Sequence, residues 1–236
     1  MKKILIAAMA LLLILSLCGC GESDSATPDS KPLADADEHI EEYIDTDKYQ
    51  RKQGDDKHST HWENKENESA DFSDVLTLDK DDITIGKTTF ADLVKLGFEI
   101  DKKAPETVEP EKSVEIPISR GDEHCSLFTS KNKTTSAVKV TDMTVGGFYI
   151  TSNSYAHYSY NGINENTTLE EVLAIEDMPV HAIDVAVRGS STLEYLTYNK
   201  ESTAGDITLK VTLNIGAVYD GKTSKISYIH YISEEK

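Results

Sequence analysis

The chain has 236 residues and a formal net charge of −18, from 42 acidic against 24 basic side chains. That balance excludes nucleic acid as a natural partner, because phosphate backbones are held by basic surfaces. Nothing in the composition or motifs calls for a cofactor.

The N-terminus reads as an export signal over residues 1–19: Lys2 and Lys3, an apolar run Ile4 to Leu17, then small residues around Gly19. The run of 14 residues is shorter than the roughly 18–20 that span a bilayer as a helix. Its end, Leu15-Ser16-Leu17-Cys18-Gly19-Cys20, resembles the lipobox of bacterial lipoprotein signal peptides. The resemblance implies that Cys20 is lipidated, palmitate included, and becomes the mature N-terminus. The protein is then expected on the cell membrane, lipid-anchored and facing the exterior, with more than one acyl chain making the anchor stable. Losing Lys2 and Lys3 takes the net charge to −20, so an anionic membrane surface repels the rest of the chain and the lipid must hold it. Cys18 leaves with the signal and Cys20 is consumed, which leaves Cys125 without an internal disulfide partner. Cys125 sits in Glu123 to Phe128, which reads as a strand start, and reads as a buried, inert thiol, with an intermolecular disulfide as the alternative. His124 beside it points to the opposite face of a strand and is poorly placed to activate it.

Residues 20–70 read as the lipidated N-terminus followed by a disordered acidic linker. From Gly21 to Ala70 there are 15 acidic and 6 basic residues and few apolar ones, too few to bury a core. One interruption, Ala34 to Tyr49, places Ile40, Tyr43 and Ile44 at helical spacing and predicts a short helix. His58 and His61, downstream of Asp55 and Asp56, have the spacing of a zinc pair but lack the surroundings a closed site needs.

From residue 71 the texture changes to turns, β-branched runs and tyrosines. Lys87 to Val94 matches Asn166 to Leu173 at a constant offset, each with a threonine followed three residues on by an acid, Asp92 or Glu171. This is capping-box spacing and predicts two short helices, with apolar faces Phe90, Leu93 and Val94, and Leu169, Val172 and Leu173. Gly97 stops the first, and Pro179 follows the second. Strands are predicted at Val114–Ile118, Ser126–Ser130 and Ala137–Ile150, with Gly146-Gly147 marking a bulge. In the second half they fall at Thr192–Tyr198, Ile207–Tyr219 and Ser224–Ile232, the last two joined by an Asp220-Gly221 turn. The order predicts an α+β fold of two tandem helix-plus-antiparallel-sheet repeats, 71–160 and 161–236, after the disordered acidic tether.

The stretch Ile83 to Leu93 with Leu96-Gly97-Phe98, and the later Gly162-Ile163 with Thr167 to Leu173, resemble a class of Gram-positive lipoproteins with tandem repeats similar to the beta-lactamase-inhibitor-protein-like fold. Glu165 stands where the first copy has Gly86 and departs from the pattern. The resemblance implies a non-catalytic binding role.

Among chemical candidates, Asp79-Lys80-Asp81-Asp82 starts like a calcium loop but lacks the glycine and final glutamate. Arg188-Gly189-Ser190-Ser191 reads as a turn, not a nucleophile elbow. His157, His181 and His230 share no spacing. The tyrosine-rich cluster Tyr149, Tyr155, His157, Tyr158 and Tyr160 is the candidate partner-binding site, since tyrosine offers rigid amphipathic contact area; packing of alternate rings under the sheet is the competing reading. The expected function is display of a non-catalytic domain that binds an envelope or secreted protein. The alternatives are an envelope hydrolase acting through paired carboxylates such as Asp184 or Glu194, and a solute-binding lipoprotein.

Overall fold

The computed structural model describes residues 30–55, 58–66, 68–175, 178–204 and 207–235. The expected signal peptide, residues 1–19, and Cys20 lie outside the described residues.

Three helices are described: α1 (Ser30–Glu41), α2 (Phe90–Lys95) and α3 (Leu169–Leu173). The strands are β1 (Tyr49–Gln53), β2 (Ser59–Asn64), β3 (Val75–Leu78), β4 (Asp81–Thr84), β5 (Glu99–Ile100), β6 (Thr107–Val108), β7 (Glu115–Arg120) and β8 (Glu123–Thr129). They continue with β9 (Val138–Lys139), β10 (Val145–Thr151), β11 (Tyr158–Tyr160), β12 (Ala182–Arg188), β13 (Ser191–Ala204), β14 (Ile207–Tyr219) and β15 (Ser224–Glu235). Ten of them form one antiparallel sheet in the order β1-β2-β12-β13-β14-β15-β10-β8-β7-β5. A small sheet, β11-β3-β4, and the pair β6-β9 accompany it.

This is a β-rich fold, and the expected α+β class with two helix-plus-sheet repeats is overturned. α2 and α3 have six and five residues, too short to form a helical layer. The strands that follow them do not close into two sheets, because β10 of the first half pairs directly with β15 of the second. The 79-residue echo is therefore local. Both predicted capping boxes form: Thr89 accepts from the Asp92 N–H while Asp92 accepts from the Thr89 N–H, and Thr168 and Glu171 do the same. Each threonine also bridges to a sheet-side strand segment, Thr89 to Thr144 and Thr168 to Lys225. Phe90, Leu93, Leu169 and Val172 are buried, but Val94 is 50% exposed.

The disordered tether is likewise corrected within 30–66. α1 forms with Ala36 and Ile40 buried, and β2 joins the main sheet through β12, with Trp62 opposite Ile183. Each of these elements contributes only one or two large apolar anchors. The hairpin at this edge carries Arg51, Lys52 and Glu63, whose charges discourage further strand addition.

Alternation along the strands sorts the ten-stranded sheet into two faces. One carries Trp62, Ile183, Leu196, Tyr198, Leu213, Ile215, Ile229, Tyr231, Phe148, Leu127 and Ile118, all buried. Onto this face pack α1, through Asp37 against Thr60, and the small sheet, through Tyr160 against Phe148 and Tyr231. The opposite face has no helix or second sheet over it among the described residues.

Candidate binding face

The open face owes its character to register. Reading across the strands, His61 on β2 stands opposite Asp184 on β12, and Asp184 opposite Tyr195 on β13. Tyr195 stands opposite Gly216 on β14, and Gly216 opposite Tyr228 on β15. Tyr149 on β10 then faces His230 on β15, and Phe128 on β8 completes the row. The row runs across the strands from β2 to β8, about 30 Å at the usual spacing of ~4.8 Å between neighbours.

Rings lie side by side along it. Tyr195 and Tyr228 have centroids 6.3 Å apart, Tyr228 and Tyr149 5.6 Å, Tyr149 and His230 5.4 Å, and His230 and Phe128 5.5 Å. Gly216 makes the arrangement possible: a Cβ there would sit 2.1 Å from Cε1 of Tyr228, so the tyrosine ring lies over the bare backbone. All five rings are half-buried. Burial raises the Tyr149, Tyr195 and Tyr228 phenols above their ordinary value and pushes the His230 imidazole down to about 4. The aromatic stretch is thus uncharged across the neutral range. At its end the His61 Nδ1 and Asp184 Oδ1 lie 2.7 Å apart, the one polar pair in the row.

The five residues singled out from sequence do not come together. Tyr149 alone reaches the open face. Tyr155, Tyr158 and Tyr160 are buried in the core, so as contact residues they are corrected; the reading of rings packed under the sheet is the one the structure bears out. The Tyr155 hydroxyl donates to Asp79 at 2.9 Å, and that of Tyr160 to the Ser73 carbonyl at 2.7 Å. His157 is exposed and lies 3.0 Å from Glu123. Phe128, Tyr195, Tyr228 and His230 were missed. Their signal was a glycine in the interior of the 207–219 strand, which marks a close approach, and a neighbouring strand apolar on both faces.

The chemical candidates are placed as follows. Asp184 lies on the open face and Glu194 on the core face, fully buried, so these carboxylates do not flank a common cleft. Among the described residues, Asp79, Glu123 and His157 converge closely enough to hold a metal ion. Asp79, however, already accepts from Arg120 at 2.8 Å as well as from Tyr155, and Arg120 also binds Asp81 at 2.7 Å and covers the Phe98 ring. The guanidinium there neutralises both aspartates of the β3–β4 turn. Arg188 to Ser191 forms the β12–β13 turn, with Gly189 at φ +61°. His61 of the suggested zinc pair is engaged by Asp184. Cys125 is buried, and burial pushes its thiol up to about 12, which makes it unreactive at neutral pH.

No family model matches the chain, and no curated protein or solved structure matches it either.

Proposed function

We propose that the protein is an envelope lipoprotein, anchored through Cys20, that holds a protein partner on its open sheet face without acting on it chemically. The observation that carries this reading is the aromatic row across that face. Half-buried tyrosines packed side by side are among the side chains that dominate protein–protein contacts. The uncharged character of the row suits desolvation on binding. The lipobox-like sequence supports the anchor.

Two experiments test the two halves separately. Cys20→Ser is expected to move the protein from the membrane fraction to the medium or soluble fraction; full retention in membranes removes the anchor. A photo-crosslinker placed at Tyr149 or Tyr195 in intact cells is expected to give one discrete protein adduct, absent when it is placed at Lys112 or Lys222 away from the row. Tyr149→Ala with Tyr228→Ala is expected to weaken that partner's binding by tenfold or more, roughly 1.4 kcal/mol or above. Unchanged adducts in the double variant sink the face as the site.

A further inference from the structure

On the core face, α1 is held by buried polar groups. Asp37 accepts from Thr60 Oγ1 at 2.9 Å and from Arg51. Two residues along, His39 Nε2 lies 2.8 Å from Glu170 Oε1 on α3, and its ring stacks on Tyr219 at 4.6 Å. The same Glu170 oxygen accepts the Ser224 N–H at 2.9 Å, while the Ser224 hydroxyl donates to Glu194 Oε2. One serine at the start of β15 thus links two carboxyl groups. The second oxygens, Glu170 Oε2 and Glu194 Oε1, are buried and have no partner among the described residues.

The cluster holds two carboxyl groups and one imidazole. Ionising both carboxyls would set two anions around one serine, so one of them keeps its proton. Glu194 is the candidate, being fully buried on β13 opposite Val185 and Ala217. The groups around it on neighbouring elements are Glu170 on α3, Ser224 on β15 and Tyr219 on β14, with His39 of α1 reached through Glu170. Farther out stand Asp35, Glu42 and Asp220, with Lys225 and Lys222 beside Asp220. This surrounding is acidic, and a second buried anion has little to balance it.

We propose that the cluster is an acid-tightened latch: protonated Glu194 lets α1 dock on the sheet, and ionised Glu194 drives α1 off it. Burial, opposed by the Ser224 hydroxyl and reinforced by Glu170, moves the Glu194 carboxyl up to about 7. The docked state therefore binds its proton more tightly than an opened state does. Its advantage is complete below the ordinary carboxylate range, falls as pH rises, and is lost above about 7.

Hydrogen exchange of the full chain between pH 4.5 and 8.5 tests this, using peptides that cover residues 32–43 and corrected for intrinsic base catalysis. Opening of α1 is expected to increase about tenfold per pH unit up to about 7 and then level off. Glu194→Gln, which cannot ionise, is expected to abolish the slope. Ser224→Ala, which removes the donor favouring the ionised form, is expected to move the plateau to higher pH. Peptides from β8 and β10 are expected to stay flat. A flat wild-type profile, a slope retained in Glu194→Gln, or loosening of β8 and β10 together with α1 overturns the latch.

Discussion

Phe148→Ala is expected to cost the fold about 3–5 kcal/mol, the range for emptying a large buried aromatic site. Phe148 is fully buried at the centre of β10 and stacks on Tyr231 at 5.5 Å across the β10–β15 seam. Its edge meets Tyr160 of the small sheet at 5.0 Å. It therefore ties the two halves of the main sheet to each other and to the layer beneath. These neighbours are themselves hydrogen-bonded, Tyr231 to Asp74 and Tyr160 to Ser73, which limits how far they can collapse into the space left. Urea unfolding should show a lower midpoint with an unchanged slope, and the melting temperature should fall by roughly 10 °C. A loss below about 1 kcal/mol would place the centre of the core elsewhere.

Gly147→Ala, one residue earlier, is expected to destabilise by about 2–3 kcal/mol although it adds a single carbon. A Cβ at Gly147 would lie 2.5 Å from the carbonyl oxygen of Tyr231 in the neighbouring strand. That atom belongs to backbone and cannot rotate away. The register shift between Val145 and Gly147 lies on the β8 side of the strand, whereas the tight contact is with the β15 backbone, where Phe148 pairs with Tyr231. Gly216→Ala is the informative control. Its added carbon meets the Tyr228 ring, which can swing aside, so this change should disturb the open face more than the fold. Comparing unfolding of the two variants checks this; equal losses would mean that the Gly147 contact with the β15 backbone is not the tight point.

How much of this was legible depended on how local the signal was. The two capping boxes, the Gly146-Gly147 bulge, the Gly97 stop and the strand 207–219 follow from neighbouring residues, and each forms as the residues imply. The failures came where long-range pairing decided. β1 and β2 are charged and short, and only the presence of β12 beside them makes Trp62 a core residue. The fold class failed for the same reason, since nothing near residues 145–151 announces that they pair with residues 228–231. The candidate site was missed because it crosses strands. Tyr195, Tyr228 and Phe128 are far apart in sequence and become neighbours only through register, whereas Tyr155, Tyr158 and Tyr160 are close in sequence and lie inside.

The early start of α1 has a consequence for where the protein works. With the lipid on Cys20, only the nine residues Gly21 to Asp29 separate the membrane from the first turn of the fold. Even fully drawn out they reach about 30 Å. If Cys20 carries the anchor proposed above, the open face is confined to a shallow layer above the lipid.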